Sequence, residues 1–124
     1  MPEDLLAIGT DGLYSLKTGF RAKYLTDAAQ KLLSGDVDFA KIKASDDYAA
    51  CAAELGKIKG VGPKVAACVL LFGFHKTEAF PVDVWMKKVI DRHFGGTLDT
   101  SVYGTYAGLA QQYLFYYERW NGRL

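Results

Sequence analysis

The stretch 55–85, LGKIKGVGPKVAACVLLFGFHKTEAFPVDVW, is the part of this chain that decides its fold. The pattern predicts a helix, a glycine-rich turn over 56–62, a second helix over 63–74, and a loop to Asp83, which caps a further helix. Lys64 falls in the first turn of the second helix, where the positive end of the helix dipole is expected to lower the pKa of an amine. An uncharged amine is a nucleophile, and a nearby carboxylate stabilises a cation or moves a proton.

The composition predicts one folded domain without a membrane anchor. The chain has 124 residues, of which 50% are hydrophobic and 14% aromatic, enough for one core. The longest apolar run, 65–74, is too short to cross a bilayer, and the N-terminus shows no export signal. Cys51 and Cys68 are too few for a four-cysteine cluster. We therefore expect an intracellular monomer with no membrane partner.

The formal net charge of +1 is low for a protein that binds nucleic acid, if it is read as a total. Grouped cations nevertheless set the local potential that a phosphate meets. The sequence places cations in two groups: Lys57, Lys59 and Lys64 around the glycine-rich turn, and Lys87, Lys88 and Arg92 on one helix.

Helical periodicity and capping residues predict an all-α fold, an orthogonal bundle of short helices with a helix-hairpin-helix motif. The predicted helices cover 2–8, 11–17, 20–34, 39–44, 46–55 with Ser45 as N-cap, 63–74, 84–94 and 103–120, with a loop over 95–101. No repeat or linker interrupts them, so a single domain over 1–124 is expected.

The glycine-rich turn is the candidate site for phosphate. Gly60 and Gly62 flank Val61, and glycines let a main chain turn tightly and approach another surface. The N–H groups of this turn, from Lys59 to Gly62, can then bind a phosphate. Ile58 and Val61 are expected to point inward. The simpler alternative is a helix–turn–helix corner that binds nothing.

The string LGKIKGVGPKVAACVLLFGF followed by FPVDVWMKKVI resembles the helix-hairpin-helix and Gly/Pro…Asp signature of the base-excision DNA glycosylases, and its lysine is typical of the members that also cut the strand. GFRAKYL at 19–25 and YAGLAQQYLFYYER at 106–119 resemble the wedge segment and the last helix of the 8-oxoguanine DNA glycosylase/AP lyases. The resemblance covers about 2–119 and implies a DNA glycosylase domain whose partner is damaged double-stranded DNA.

The resemblance also implies roles for five residues. Lys64 would attack C1′ of the deoxyribose, displace the damaged base and form an imine that permits β-elimination. Asp83 would stabilise positive charge on the sugar or assist proton transfer, besides capping its helix. Gln111 would read the Watson–Crick edge of the flipped purine while Phe115 stacks on it, and Cys68 would pack on the other face of the base.

Two further residues would contact the DNA around the lesion. Phe20 stands where the family places an aromatic wedge in the base stack, and Arg21 would contact the base of the opposite strand. Each implied residue also has an ordinary alternative as a surface, core or capping residue.

The resemblance implies no cofactor and no zinc or iron–sulfur site. It does imply a structural monovalent cation, bound by the main-chain carbonyls of Gly56, Ile58 and Val61. Trp85 replaces a histidine of some relatives, which is expected to change the pocket wall and favours a prokaryotic source, in the cytoplasm or nucleoid. Full-length relatives carry an N-terminal β-rich domain and more helices. We therefore expect a fragment that is weak or inactive alone.

Two other functions stay open. An endonuclease III-like glycosylase for oxidised pyrimidines shares the turn, Lys64 and Asp83, but usually ends in a four-cysteine iron–sulfur loop, and no cysteine follows Arg92. A non-catalytic helix-hairpin-helix module would use the turn for phosphate alone. Two features disfavour that module: the low net charge, and the joint presence of Lys64, Asp83 and Gln111.

Overall fold

A computed structural model describes residues 1–122, and within them the chain is all-α, which confirms the predicted class. The α-helices are α1 (Pro2–Leu13), α2 (Ala22–Ser34), α3 (Phe39–Ala44), α4 (Tyr48–Gly56), α5 (Pro63–Cys68), α6 (Val84–His93) and α7 (Ala107–Asn121). Short π-helical or 3₁₀ segments cover Tyr14–Thr18, Gly19–Arg21, Val69–Gly73 and Thr100–Tyr106. The chain divides into two compact units, Met1–Gly62 and Pro63–Leu124.

Aspartates begin three of the helices by accepting hydrogen bonds from otherwise unpaired N–H groups. Asp38 caps α3, where it accepts the N–H of Ala40 and Lys41, and Asp83 caps α6. The N-cap of α4 is Asp47, which accepts the N–H of Ala50 at 3.1 Å. The prediction of Ser45 as this cap was wrong. The Ser45 hydroxyl instead accepts a hydrogen bond from the N–H of Asp47, and Ser45 lies three residues before the helix begins at Tyr48.

The predicted helix bounds err where 3₁₀ or π segments adjoin a helix. The predicted break at Gly9 is present as a non-helical residue inside α1, but the chain continues helically to Leu13. Helix α2 begins at Ala22 rather than residue 20, because Gly19–Arg21 forms a 3₁₀ turn. The last helix begins at Ala107 rather than residue 103, since Gly104 leaves the helical conformation.

Each unit buries its own set of apolar side chains, and burial of this kind is the main stabilising term in folding. In the first unit α1 packs against α2, and in the second α6 packs against α7. The buried side chains of the first unit include Leu13, Ala29, Val37, Ile42, Cys51, Leu55 and Ile58; those of the second include Leu70, Leu71, Met86, Val89 and Ala107. Among residues 1–122, no helix has the length and apolar character needed to cross a membrane.

The glycine-rich turn is fastened to α2 within the first unit. The Lys59 N–H donates to Oδ2 of Asp27 at 2.7 Å. The same oxygen accepts from Nζ of Lys31 at 2.9 Å, and that ammonium also donates to the Lys57 carbonyl. Gly60 adopts φ +86°, and a β-carbon there would lie 2.6 Å from Cδ2 of Tyr24. The turn therefore needs glycine at this position for its conformation and for its contact with the Tyr24 ring.

We expect Gly60→Ala to lower the free energy of unfolding by about 2 kcal/mol or more, because the substitution adds left-handed strain and a clash with the Tyr24 ring. Gly35→Ala is the matched control: Gly35 has φ +83° but nothing lies within 4 Å of its added β-carbon. Urea unfolding of both variants separates the cost of the left-handed main-chain conformation from the cost of the clash with the Tyr24 ring. Equal losses in the two variants would show that the contact with Tyr24 costs nothing.

We expect Asp27→Asn to reduce the acid sensitivity of the fold. The Lys59 N–H, and next the Lys31 ammonium, hold the pKa of Asp27 below its ordinary value. A lowered carboxyl pKa contributes stability that is present above the unfolded-state pKa of about 3.9 and is lost as the pH falls through the lowered value. Urea unfolding near neutral pH and again below about pH 3 should show a smaller loss for the variant than for the unchanged chain.

Candidate active site

A cavity of about 240 Å³ lies within the second unit. Its lining combines an amine, a carboxylate, a thiol, two carboxamides and two aromatic rings, and concave sites with a few polar groups are the usual places for ligands. The lining residues are Lys64, Cys68, Phe72, Pro81, Asp83, Gln111, Gln112 and Phe115. The structure thus brings together all five residues for which the resemblance implied a place around the sugar and base.

One wall of the cavity comes from α5 and the π-helical turn that continues it. Lys64, Cys68 and Phe72 all line the cavity, and residues four apart share one helix face. Pro63 opens α5, as the fixed φ of proline favours at a first helical position. This places Lys64 in the first turn, where its side chain is exposed. Phe72 was not predicted as a site residue, although its position four residues after Cys68 and eight after Lys64 places it on the same helix face.

Asp83 contributes the carboxylate of the cavity and caps α6 at the same time. Its Oδ1 accepts the N–H of Met86 at 2.9 Å, which holds the side chain in a defined orientation. The carboxylate has further acceptor positions beyond this one bond, and the residue is half-buried at the cavity wall. The capping role and a role in the cavity are therefore compatible.

The opposite lining comes from α7, where Gln111 and Phe115 stand one turn apart. Gln111 is only 4% exposed, so the ordinary alternative of a surface glutamine does not apply. Its Nε2 donates to the Pro81 carbonyl at 3.1 Å, and its Oε1 accepts from Nε2 of Gln112. The side chain is held by the protein on both ends of its carboxamide.

Gly108 brings α7 close to the loop that precedes α6. Its N–H donates to the Thr77 carbonyl at 2.6 Å, and a β-carbon would lie 2.5 Å from the Ala79 carbonyl oxygen and 2.5 Å from Cδ1 of Leu71. No side chain larger than hydrogen fits there. Gly108 was not predicted as a contact residue, although a glycine inside a predicted helix often marks a close contact.

Two side chains of α6 differ from expectation. Trp85 is not among the lining residues of the cavity, so its expected effect on the pocket wall was wrong. Its ring instead lies 4.6 Å from Nζ of Lys88 and 4.8 Å from the guanidinium of Arg119. Arg92, grouped with the phosphate-facing cations by its position, pairs with the buried Glu118 of α7.

The residues implied to contact the surrounding DNA belong to the first unit. Phe20 is 64% exposed, its ring meets Tyr24 edge-on, and the guanidinium of Arg21 lies 4.9 Å from the Phe20 ring centre. An exposed large aromatic side chain beside a cation is compatible with a wedge, and the role of both residues stays a prediction.

The turn offers fewer free N–H groups than the sequence suggested. The N–H of Lys59 is used by Asp27, and that of Val61 donates to the Ile58 carbonyl at 3.1 Å. The remaining candidates for phosphate are the N–H groups of Gly60 and Gly62 and the side chain of Lys59. In the described part of the chain, no group of three His, Cys, Asp or Glu residues is arranged to hold a metal ion.

We expect Gly108→Ala to destabilise the second unit by about 3 kcal/mol, because the added methyl group meets main-chain oxygen atoms that cannot rotate away. Gly73→Ala is the control, since its nearest neighbour would be Cγ1 of Val69 at 3.9 Å. Thermal unfolding followed by circular dichroism measures both. A Gly108→Ala chain as stable as the control would contradict the close contact.

No protein-family model matches the chain. It is 40% identical over 121 residues to a probable N-glycosylase/DNA lyase of Methanothermobacter thermautotrophicus, a match that covers 90% of this chain and 38% of that protein. It is 33% identical over 102 residues to the N-glycosylase/DNA lyase of Saccharomyces cerevisiae, a match that covers 74% of this chain and 27% of that protein.

The fold is similar to that of an 8-oxoguanine glycosylase/lyase from Clostridium acetobutylicum, solved with double-stranded DNA that contains cytosine opposite 8-oxoguanine. The TM-score is 0.86 and the identity 35%, over 98% of this chain and 45% of that one. The chain therefore spans less than half the length of these relatives. Sequence and fold together place it in the family of the 8-oxoguanine N-glycosylase/DNA lyases, as the counterpart of one helical part of them.

Proposed function

We propose that this chain carries the catalytic residues of a base-excision DNA glycosylase and AP lyase that removes oxidised guanine. The observation that supports this most is the cavity of the second unit, because it joins the amine of Lys64 and the carboxylate of Asp83 with Gln111 and Phe115. An amine and a carboxylate in a partly polar pocket can attack a sugar while the pocket holds its base.

In the proposed reaction, the uncharged Nζ of Lys64 forms a bond to C1′ as the bond from C1′ to the base nitrogen breaks. The base leaves with the electron pair and takes up a proton. Nζ then loses a proton, the bond from C1′ to O4′ breaks and O4′ takes up a proton, which opens the sugar ring and gives an imine between Nζ and C1′. Removal of a proton from C2′ then expels the 3′ phosphate, which cuts the strand.

Asp83 is suited to the charged stages of this reaction. Its bond to the Met86 N–H fixes the carboxylate, and a fixed negative charge stabilises the positive charge that develops on the sugar without reorganisation. The same carboxylate can accept or return a proton between steps. Both tasks need only that Asp83 faces the cavity that Lys64 lines.

We assign recognition of the base to α5 and α7, and DNA positioning to the first unit. Phe115 would stack on the everted base, Gln111 would bond to its edge, and Cys68 would close the other side. In the first unit, Phe20 and Arg21 would act as wedge and opposite-strand contact, while Lys59, Gly60 and Gly62 would meet phosphate. The proposed monovalent cation would use the carbonyls of Gly56, Ile58 and Val61; the Ile58 carbonyl already accepts one N–H.

Borohydride trapping tests the nucleophile. With duplex DNA that contains 8-oxoguanine, the unchanged protein should form a covalent adduct, Lys64→Gln should form none, and the exposed control Lys43→Gln should form as much as the unchanged protein. Asp83→Asn should slow the reaction by about 10² or more, as expected for loss of a group that moves protons. The assay uses both this chain and the longest natural protein that contains it. An adduct that survives Lys64→Gln would exclude Lys64 as the nucleophile.

The choice of DNA substrate separates the alternatives. Faster excision of thymine glycol than of 8-oxoguanine would favour a pyrimidine-specific enzyme. Salt-sensitive binding to undamaged duplex, together with no effect of Asp83→Asn on any reaction, would favour a binding module without catalysis.

A further inference from the structure

We propose that Gln112 is a positioning and specificity residue for the base pocket, which deepens the proposed function and rests on it. Its N–H fixes the carboxamide of Gln111, and its own carbonyl adds a hydrogen-bond acceptor to the cavity wall. Neither role was predicted from the sequence, which pointed to Gln111 and Phe115 but not to Gln112.

The orientation of both carboxamides follows from one main-chain atom. The Pro81 carbonyl can only accept, so the group that Gln111 presents to it must be its N–H. The other end of the Gln111 carboxamide is then its carbonyl oxygen, which must face a donor. Gln112 supplies that donor from its own Nε2. The two hydrogen bonds form a series in which each bond dictates the next.

Burial makes the bond from Gln112 important. Gln111 is 4% exposed, so little water is available to satisfy its carbonyl, and an unpaired buried acceptor is costly. Gln112 itself is exposed and lines the cavity. It therefore connects the buried carboxamide to the space that the base would enter.

The remaining groups of the pair suit a guanine-type base. After the bonds described, Gln111 keeps one N–H and part of its carbonyl, and Gln112 keeps its carbonyl and one N–H. The Watson–Crick edge of guanine presents N–H donors at N1 and N2 and a carbonyl acceptor at C6. Two oriented carbonyls beside N–H groups match that edge, whereas adenine presents an acceptor at N1.

Side-chain NMR tests the positioning role without any activity. The chain has three glutamines, Gln30, Gln111 and Gln112, and one asparagine, Asn121, so its carboxamide signals are few and assignable. Gln112→Met, of similar length, should shift the Gln111 carboxamide signals and speed their exchange with solvent by about tenfold or more. Gln30→Met, an exposed control on α2, should leave them unchanged. Unchanged Gln111 signals in Gln112→Met would overturn the proposal.

A comparison of two reactions tests the specificity role. Gln112→Met should lower kcat/KM for excision of 8-oxoguanine about five- to tenfold, as for loss of one or two neutral hydrogen bonds. β-Elimination at a preformed abasic site should stay within about twofold, since no base is there to be read. Equal losses in both reactions, or none in excision, would overturn the specificity role.

The two measurements also distinguish this proposal from the proposed function. If the unchanged protein excises no base and forms no trapped adduct, the proposed function fails and the specificity role fails with it. The NMR comparison then still decides the positioning role.

Discussion

The close approach of α7 to the loop before α6 is the constraint on which the cavity depends. It exists because Gly108 has no side chain, which lets its N–H reach the Thr77 carbonyl and brings the helix against the main chain at Ala79. Gln111 follows less than one turn later and reaches the Pro81 carbonyl of the same loop. Because Asp83 stands two residues beyond Pro81, one segment of loop sets the position of both α7 and the carboxylate.

The second anchor of these helices is a buried charge. Glu118 is 3% exposed and faces Nη1 of Arg92 and Nε2 of His93, both on α6. A carboxylate buried so deeply is tolerated only with partners of this kind, and removal of a partner is costly. The loop contact at one end of α7 and the ion pair near the other leave the helix little freedom to slide along α6. Rigid supporting elements of this sort are what a precise site needs.

The features that were predictable from the sequence obey local rules. Asp83 as a cap, Pro63 as a helix start and the bounds of α3 each depend on a few neighbouring residues, and the motif of 55–85 placed Lys64 and Asp83 in one site. The features that were missed depend on how distant segments pack. The residues near Gly108 do not indicate that a loop about thirty residues earlier packs against it. Gln112 has its partner only because the Pro81 carbonyl orients Gln111. Ser45 failed as a cap for a smaller reason: Asp47, two residues on, offers the same chemistry closer to the helix.

The glycine-rich turn shows how a nearly neutral protein can present positive charge at one place on its surface. Asp27 lies under the turn, an unfavourable sign beside a proposed phosphate contact, but Lys31 neutralises it within the same small network. The carboxylate therefore shapes the main chain while its charge is offset, and the exposed side chain of Lys59 is left to face outward.

The role of the Pro81 carbonyl affects which substitutions the site can accept during evolution. A main-chain oxygen sets the orientation of the Gln111 and Gln112 carboxamides. The order of donors and acceptors on that wall therefore depends on the course of the loop and not on the side chain at position 81. Exchange of the proline would leave this order intact as long as the loop kept its course. A shift that took the Pro81 carbonyl out of reach of Gln111 would leave the orientation of the pair unset, with every nearby side chain unchanged.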